Sequence, residues 1–313
     1  MRIIKETKID FMGIANIGAL ASALLIIAGL GSMIVKGGPK LSIDFKGGTL
    51  IAVRYAKPMD INEVRTGLSS INIDGRSYDF SQAEIKHFGD KQSVAVRLPN
   101  IENEPEKFLT KFVEKMAELF PDMSIGDRDN FILSIEKVGP KIGAELSGDA
   151  LMAIISALGL ILIYVSFRFE WKYAIGSIAA LTHDVLITLG IFSLLDYEVS
   201  LAVLAAFLTI VGYSLNDTIV IFDRVRENVK IMKQESMKKI VNKSINNSLS
   251  RTIITSLTTF FVVLVLFLLG GEVIHTFAFA MIVGVIVGTY SSIFIASPII
   301  VKMASSHSKE KNS

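Results

Sequence analysis

Six long apolar stretches constrain the fold of this chain more than any other feature of its sequence. A bilayer core of about 30 Å requires about 20 apolar residues per helix, and each stretch approaches or exceeds that length. Hydrophobic residues make up 51% of the chain and lie in these blocks rather than in the short periodic stripes of a soluble core. The predicted transmembrane helices are Gly13–Val35, Ala150–Phe167, Tyr173–Leu195, Ser200–Phe222, Thr252–Leu269 and Ile274–Val301.

The first stretch could also be interpreted as a signal peptide, because it follows Arg2, Lys5 and Lys8. Its apolar run is longer than that of a typical signal peptide, and no small-residue cleavage site closes it. We therefore expect a retained membrane anchor.

Lysine and arginine in the loops predict the orientation of the helices. Basic residues cluster near the N-terminus, after the second helix, at eight positions from Arg224 to Arg251, and near the C-terminus. The two short loops predicted on the other side, Asp196–Val199 and Gly270–Val273, contain none. Both termini are therefore predicted to be cytosolic, in a cytoplasmic membrane. The basic inner face should contact anionic membrane lipids or a partner protein, and nothing in the sequence calls for nucleic acid.

The segment between the first two helices is predicted to be an exported domain. A domain of this size can fold on its hydrophobic core alone, and the absence of cysteine excludes a disulfide framework. Residues 223–250 are charged and are predicted to form an amphipathic helix at the inner interface. The predicted parts are the N-terminus with helix one (1–39), the exported domain (40–148), helices two to six (149–302) and a cytosolic tail (303–313).

Alternating strand and helix patterns predict a ferredoxin-like α+β fold for the exported domain. The order βαββαβ corresponds to a four-stranded antiparallel sheet with two helices on one face. Gly89-Asp90 is the predicted hairpin turn, and Asp60 and Asn103 are the predicted helix N-caps. The predicted elements are strands at Gly48–Tyr55, Glu84–Phe88, Ser93–Leu98 and Phe131–Val138 and helices at Asp60–Leu68 and Glu104–Leu119.

The sequence of the exported domain carries no recognisable catalytic pattern. It has no cluster of metal ligands, no nucleophile with a base at a recognisable spacing and no phosphate-binding glycine loop. Its single histidine, His87, is interpreted as a surface residue of a strand. We expect a binding or mechanical module rather than an enzyme, without a metal.

Glycine and proline lie at both ends of this domain. Gly47 and Gly48 follow the first helix, and Gly139 and Pro140 precede the second. Glycine reaches backbone angles that other residues avoid, and proline ends a preceding strand. Two interpretations remain open: these residues connect a rigid domain to the helices, or they act as hinges that let the domain swing.

One carboxylate lies inside the fourth apolar stretch. An ionisable side chain at that depth costs about 2.5–3.5 kcal/mol on insertion scales, so Asp217 indicates a function. Arg251 opens the fifth helix from the same inner side, which makes an ion pair between the two side chains geometrically possible. A guanidinium favours a charged carboxylate and desolvation favours a neutral one, so a motion that separates the two would couple protonation to conformation.

Polar residues near Asp217 fit either a hydrated path or ordinary packing. Thr255 and Thr259 follow Arg251 at offsets of four and eight, which places them on one helical stripe, and Asn216 shares a face with Gly212. Threonine hydroxyls also commonly bond to their own helix backbone. Both interpretations therefore remain open.

Asp184 lies near the middle of the third helix, next to His183. Neighbouring helix residues point about 100° apart, so the pair is not predicted to converge on one ligand. Asp184 either joins a proton route or has a buried hydrogen-bonding role that fixes helix packing.

Six short motifs follow one another along the chain. They are Asp44–Thr49, Val138–Gly143, Thr182–Asp184, Gly212–Val220 with Asp223–Asn228, Arg251–Ser256 and Gly288–Ser292. Together they resemble the SecF family, one subunit of the SecD–SecF complex of bacterial protein export. Each motif alone is weak, but the ordered set is specific and covers nearly the whole chain.

The resemblance implies a function and a set of partners. The complex would use the proton-motive force to help pull or release unfolded preproteins on the outer side, with H⁺ as the expected coupling ion and no other cofactor. A separate SecD subunit is implied, together with the SecYEG channel, YajC and YidC. The helices would be related to those of resistance-nodulation-division transporters. In that family, the residues that match Asp217 and Arg251 are associated with proton conduction.

Two other functions remain open. A proton-driven exporter of small molecules or lipids would share the helices and the carboxylate, although one modest exported domain offers little room for a drug-sized pocket. An intramembrane aspartyl protease would use Asp184 and Asp217 as a dyad. That chemistry requires two carboxylates close together with one proton between them, whereas the predicted depths of these residues differ.

Overall fold

The computed structural model describes residues 7–101, 104–123, 125, 128–168 and 171–310. The chain divides into two compact units, a helical unit formed by Met1–Lys40 with Ala150–Ser313 and an α+β domain formed by Leu41–Asp149. Among the described residues, six helices are long and apolar enough to cross a membrane. The predicted fold class, six such helices with an α+β domain between the first and the second, is confirmed.

The elements are numbered along the chain. The helices are α1 (Phe11–Lys36), α2 (Ile43–Lys46), α3 (Ile61–Leu68), α4 (Phe108–Leu119), α5 (Arg128–Phe131), α6 (Pro140–Arg168), α7 (Trp171–Leu194), α8 (Leu201–Ile231), α9 (Met237–Leu269), α10 (Gly271–Ser291) and α11 (Ser297–Glu310). The strands are β1 (Gly48–Arg54), β2 (Ile71–Ile73), β3 (Arg76–Tyr78), β4 (Glu84–Phe88), β5 (Asp90–Leu98) and β6 (Ile132–Val138).

The α+β domain contains a four-stranded antiparallel sheet. Its strand order is β4-β5-β1-β6, with Ile51 of β1 opposite Val96 of β5 and Ile135 of β6. Helix α3 lies between β1 and β4 in sequence and α4 lies between β5 and β6. This is the predicted ferredoxin-like arrangement, in which two helices cover one face of the sheet.

Alternating residues of the central strands form the core of this domain. Ile51 and Val96 are fully buried and pack with Phe112 and Met116 of α4. The Tyr55 hydroxyl donates a hydrogen bond to the Met116 carbonyl at 3.1 Å, and burial raises the pKa of this phenol. Strand β1 thus joins the sheet to the helical layer.

Local differences from the predicted elements have local causes. A second hairpin, β2–β3, was not predicted, although its turn carries an Asp-Gly pair, Asp74-Gly75, with positive φ at both residues. The Asp60 side chain caps α3, as predicted, by accepting a hydrogen bond from Asn62 N at 2.8 Å. Asn103, the other predicted cap, lies outside the described residues, and α4 begins only at Phe108.

The helical unit is built around α7, α8 and the sixth membrane-length helix. About half of the apolar segment in each of these three helices is buried, whereas α1, α6 and α9 expose most of theirs. A soluble protein would not expose such long apolar surfaces, but a bilayer covers them. The arrangement therefore suits a membrane-spanning unit with three inner and three outer helices.

Two predicted boundaries in this unit differ from the structure. Helix α6 begins at Pro140, ten residues before the predicted start at Ala150, because a hydropathy pattern detects only the apolar part of a longer helix. The predicted amphipathic helix at 223–250 is not one helix. Helix α8 ends at Ile231, and the Ser236 hydroxyl accepts a hydrogen bond from Lys239 N at 3.4 Å to cap α9.

The sixth membrane-length helix contains a π-helical segment. This segment, Ser292–Ala296, lies between α10 and α11 and does not interrupt the apolar span Ile274–Ala304. The Ser297 hydroxyl donates to the Ser292 carbonyl at 2.8 Å, across five residues. Such segments often occur at functional sites, and this one begins directly after Ser291, which reaches the centre of the unit.

Candidate functional site

Asp217 lies where α8 meets α9 and α10. Its side chain is only 3% exposed, which agrees with an inward position on α8. The carboxylate accepts a hydrogen bond from the Ser256 hydroxyl of α9 at a long donor–acceptor distance of 3.4 Å, and the Thr255 hydroxyl of the same helix contributes a weaker one. Ser256 in turn lies 2.6 Å from the Thr289 hydroxyl of α10. Asp217 is therefore buried but weakly held.

Arg251 lies on α9 with an exposed side chain. It is close enough to act electrostatically on the Asp217 carboxylate, but the two side chains form no direct ion pair in the described part of the chain. The ion pair that the sequence made possible is therefore not formed in this conformation. The physical reason is the helix geometry, because Ser256, not Arg251, occupies the turn of α9 that contacts Asp217.

The other predicted polar residues are only partly brought into this site. The Thr255 hydroxyl donates to two carbonyls of its own helix, Arg251 O at 3.1 Å and Thr252 O at 2.9 Å. Thr259 is half-buried on the same helix, and Asn216 is exposed on α8. The Thr255 hydroxyl thus bonds mainly to its own helix backbone and contributes only weakly to Asp217, and Asn216 does not line the site.

Asp184 is the second buried carboxylate of the helical unit. It is 1% exposed, and both of its oxygens have partners. Oδ2 accepts hydrogen bonds from the Ser214 hydroxyl of α8 at 2.6 Å and from the Ser291 hydroxyl of α10 at 2.8 Å. Oδ1 lies 2.8 Å from Nδ1 of His183. Asp184 therefore joins α7, α8 and α10.

His183 extends this cluster to α1. Its Nε2 lies 2.9 Å from the Ser22 hydroxyl, which lies 3.0 Å from the Tyr290 hydroxyl. Tyr290 reaches the Gly18 carbonyl at 2.6 Å. The sequence predicted that these two adjacent residues of α7 point apart, whereas in the structure their side chains contact each other. We refer to Asp184, His183, Ser22, Tyr290 and Gly18 as the central hydrogen-bond chain.

Sequence reasoning missed the hydroxyl groups that hold the two carboxylates. Ser256 and Thr289 lie inside two of the quoted motifs, but serine and threonine are too common in membrane helices for such a position to indicate a role. No sequence pattern indicated a role for Ser22, because its hydrogen-bond partner His183 lies 161 positions away.

Two of the predicted hinge residues, Gly47 and Gly48, occupy closely packed positions within the α+β domain. Their φ values are 72° and 121°. A Cβ atom on Gly47 would lie 2.7 Å from the Asn100 amide nitrogen and 3.1 Å from Pro140 Cα, so backbone angle and close approach require glycine there. Gly139 precedes Pro140, the first residue of α6, and an added Cβ on it would have no atom within 4 Å. A swing of the domain stays a prediction.

Metal coordination finds no support in the side-chain geometry. Within the described ranges, no three histidine, aspartate or glutamate side chains come together as a candidate metal site. The chemistry available at Asp217 and at Asp184 is protonation and hydrogen bonding.

Two protein-family models match the chain. The model described as "Protein export membrane protein SecD/SecF, C-terminal" matches residues 123–306, and the "SecD/SecF GG Motif" model matches residues 32–59. The first match contains both buried carboxylates, and the second contains Gly47 and Gly48.

Several relatives are similar over nearly their whole length. The protein translocase subunit SecF of Calditerrivibrio nitroreducens is 46% identical over 299 residues, which cover 94% of this chain and 94% of the relative. The subunit of the same name from Thermodesulfovibrio yellowstonii is 40% identical over 304 residues, which cover 96% of each. These names describe transport proteins rather than enzymes.

Solved structures show the same architecture. The crystal structure of SecDF from Thermus thermophilus, a translocon-associated membrane protein, matches with a TM-score of 0.83 at 39% identity and covers 96% of this chain and 39% of that one. A SecDF structure in a super-membrane-facing form matches with a TM-score of 0.70 at 38% identity, over 100% of this chain and 41% of that one. This chain thus spans about two fifths of the SecDF chains. By family model, by relatives and by fold, it is a multi-pass membrane protein that belongs to the SecF family of protein translocase subunits.

Proposed function

We propose that this chain is the proton-coupled SecF half of a SecD–SecF complex that assists Sec-dependent export of unfolded preproteins. The observation that carries the proposal is the environment of Asp217. Its carboxylate is buried among membrane-length helices and is held by a long hydrogen bond from Ser256 and a weaker one from Thr255, and Arg251 lies nearby without a direct ion pair in the described part of the chain. A buried carboxylate held this weakly can take up or release a proton and can exchange its hydrogen-bond partner for another group.

The energetic argument follows from burial and charge. A charged carboxylate at this depth is costly, and a neutral one is not, so proton uptake and release favour different helix arrangements. A movement of α9 that brings Arg251 to Asp217 would stabilise the charged form. Each proton that crosses 100 mV supplies about 2.3 kcal/mol, which shifts a two-state equilibrium about forty-fold.

The orientation and the partners complete the proposal. We place both termini on the cytosolic side of the bacterial inner membrane, which puts the α+β domain on the outer side. The basic loops support this orientation, because positively charged segments are retained inside. SecD is the proposed direct partner, and the length of the SecDF relatives supports it. SecYEG, YajC and YidC are proposed as members of the same assembly.

Asp184 has a different role in this proposal. Three groups contact its carboxylate, so it is unsuited to exchange partners as Asp217 does. Asp184 and Asp217 also share no hydrogen bond or common proton in the described part of the chain. The aspartyl-protease alternative therefore lacks its dyad, and no observation favours a small-molecule exporter.

The experiment that tests the proposal compares proton flux and export in vesicles that contain this chain with its SecD partner. Asp217→Asn should reduce the proton flux to the level of empty vesicles and remove the part of export that depends on the proton-motive force. The matched control is Asp223→Asn on the same helix. Asp223 is exposed and pairs with Arg168 at 3.4 Å, so its loss should leave both rates at wild-type level. Equal flux and equal export in Asp217→Asn would refute the assigned role.

A further inference from the structure

The central hydrogen-bond chain ends on a group that can only accept. Gly18 contributes a backbone carbonyl, so the Tyr290 hydroxyl must donate its one proton to it. The Tyr290 oxygen can then only accept from Ser22, at 3.0 Å. Because Ser22 also has one proton, its oxygen is left as an acceptor for His183 at 2.9 Å. The Nε2 atom of His183 therefore carries a proton.

The other end of the central hydrogen-bond chain, at His183 and Asp184, then requires one more proton. Nδ1 of His183 lies 2.8 Å from Oδ1 of Asp184. A neutral imidazole with its proton on Nε2 has no proton on Nδ1, and an ionised carboxylate has none to offer. The contact is a hydrogen bond only if a second proton sits on one of these two atoms. The hydroxyls of Ser214 and Ser291 both donate to Oδ2, which favours the carboxylate with an imidazolium.

We propose that His183 and Asp184 form a second proton-binding site in the helical unit, which holds two protons and has no net charge. The burial of the pair agrees with this assignment, since the side chains are 6% and 1% exposed and a net charge there would be costly.

The ionisable groups around the pair are few. The helices packed against it contribute Ser22 from α1, Ser214 from α8, and Tyr290 and Ser291 from α10. Tyr290 is the only ionisable side chain among these contacts in the described structure. Asp217 lies on α8 but bonds to Ser256 of α9 instead.

Loss of the second proton has a specific structural consequence. The proton that remains moves to Nδ1, between His183 and Asp184, and Nε2 becomes an acceptor. The Ser22 hydroxyl then turns to Nε2, and its hydrogen bond to Tyr290 is lost. The proton of this site thus determines whether the Ser22 hydroxyl of α1 donates to Tyr290 of α10 or to His183 of α7, while the bond from Tyr290 to the Gly18 carbonyl and the bonds from Asp184 to α8 and α10 persist.

The test is nitrogen NMR of the full chain in lipid vesicles, labelled with ¹⁵N-histidine. The chain has four histidines, so the His183 signals are assigned in a variant in which His87, His275 and His307 are replaced by glutamine. We expect a protonated Nε2 at neutral pH, together with either a protonated Nδ1 or an infrared carboxylic-acid band that Asp184→Asn removes. An unprotonated Nε2, or a neutral imidazole beside an ionised Asp184, would overturn the proposal.

A pair of variants separates this site from Asp217. Tyr290→Phe removes the hydroxyl that sets the direction of the hydrogen-bond chain, so Ser22 can donate to Nε2 of His183, and the signal of a protonated Nε2 at neutral pH should weaken. Asp217→Asn should leave the His183 signals unchanged. Unaltered His183 signals in Tyr290→Phe, or altered ones in Asp217→Asn, would contradict the inference. Neither of these results tests the proposed role of Asp217, which the proton-flux experiment tests separately.

Discussion

Asp184 and Asp217 are two carboxylates of one helical unit with almost equal burial and opposite surroundings. Asp184 is 1% exposed and has three partners at 2.6–2.8 Å, whereas Asp217 is 3% exposed and has a hydrogen bond of 3.4 Å from Ser256 and a weaker one from Thr255. Burial alone therefore does not distinguish a fixed carboxylate from an exchangeable one. The number and length of the hydrogen bonds do, because each bond must be broken before the group can move.

The same contrast extends to the surrounding helices. The partners of Asp184 come from α8 and α10, and His183 adds α1, so its cluster joins four helices. Asp217 accepts its hydrogen bonds from α9, and only 11% of the apolar segment of α9 is buried. We infer that the Asp184 region is the fixed part of the unit and that the boundary between α8 and α9 is the part that moves.

The largest expected difference between the two sites concerns stability. Asp184→Ala removes one member of a buried charge pair and leaves two hydroxyls without an acceptor, so we expect a loss of about 3–5 kcal/mol of unfolding free energy. Asp217→Ala removes one long hydrogen bond and should cost less than about 1.5 kcal/mol. Thermal unfolding of both variants in detergent measures the difference. Equal destabilisation by the two substitutions would contradict the difference between a firmly held Asp184 and a weakly held Asp217.

Helix packing should show the next largest effect. A Cβ atom on Gly29 of α1 would lie 2.5 Å from Gly190 Cα of α7, next to the Asp184 region. Gly29→Ala must push the two helices apart and should cost about 1–3 kcal/mol. Gly212 of α8 has no atom within 4 Å of such a Cβ, so Gly212→Ala is the matched control and should be neutral in the same unfolding experiment.

A smaller effect is expected at the hydroxyl that holds Asp217. Ser256→Ala removes its main hydrogen bond, and we expect about 0.5–1.5 kcal/mol of change, visible as an altered proton flux at nearly unchanged stability. Ser214→Ala, which removes one of the donors to Asp184, should instead lower stability and leave the proton flux near wild type. If Ser256→Ala lowered stability and Ser214→Ala altered the proton flux instead, Asp217 would not be the mobile carboxylate and Asp184 would not be the fixed one.

The smallest effect is expected at an exposed carboxylate outside the membrane helices. Hydrogen bonds from Lys40 and Lys36 hold the pKa of Asp196 below its usual range. A lowered pKa in the folded state means that this stabilisation is present above the usual pKa of aspartate and is lost as the pH falls through the folded value. Because the group is exposed, Asp196→Asn should cost only about 0.2–1 kcal/mol at neutral pH. The free energies of unfolding of the wild type and of Asp196→Asn, measured from neutral to acidic pH, should converge as the pH falls.

The sequence predicted those elements that depend on local physics. Apolar length is a property of each segment by itself, so all six membrane-length helices were found. Alternation in the strands likewise predicted the sheet around Ile51 and Val96. The hairpin at Asp74-Gly75 was missed although its turn signal was present. The start of α6 at Pro140 was missed because polar residues continue the helix beyond its apolar part.

The site was predicted only in part. Asp217, Arg251 and Asp184 were singled out because an ionisable group within or beside an apolar helix is unusual in any context. Their partners were not predicted, because Ser256, Ser214 and Ser291 have no property in the sequence that separates them from other helix serines. The ion pair of Asp217 with Arg251 that the sequence made possible does not form in this conformation, since a different turn of α9 contacts the carboxylate.

Six membrane helices, an α+β domain between the first two and ionisable groups within apolar helices could all be predicted from the sequence. The difference between a carboxylate with several close partners and one that can exchange its partner became visible only in the folded structure. The physical reason is that hydrogen bonds need atoms within about 3 Å, and here the donors come from distant parts of the chain. Ser291 lies 107 residues from Asp184, and Ser22 lies 161 residues from His183, so no local pattern could reveal these contacts.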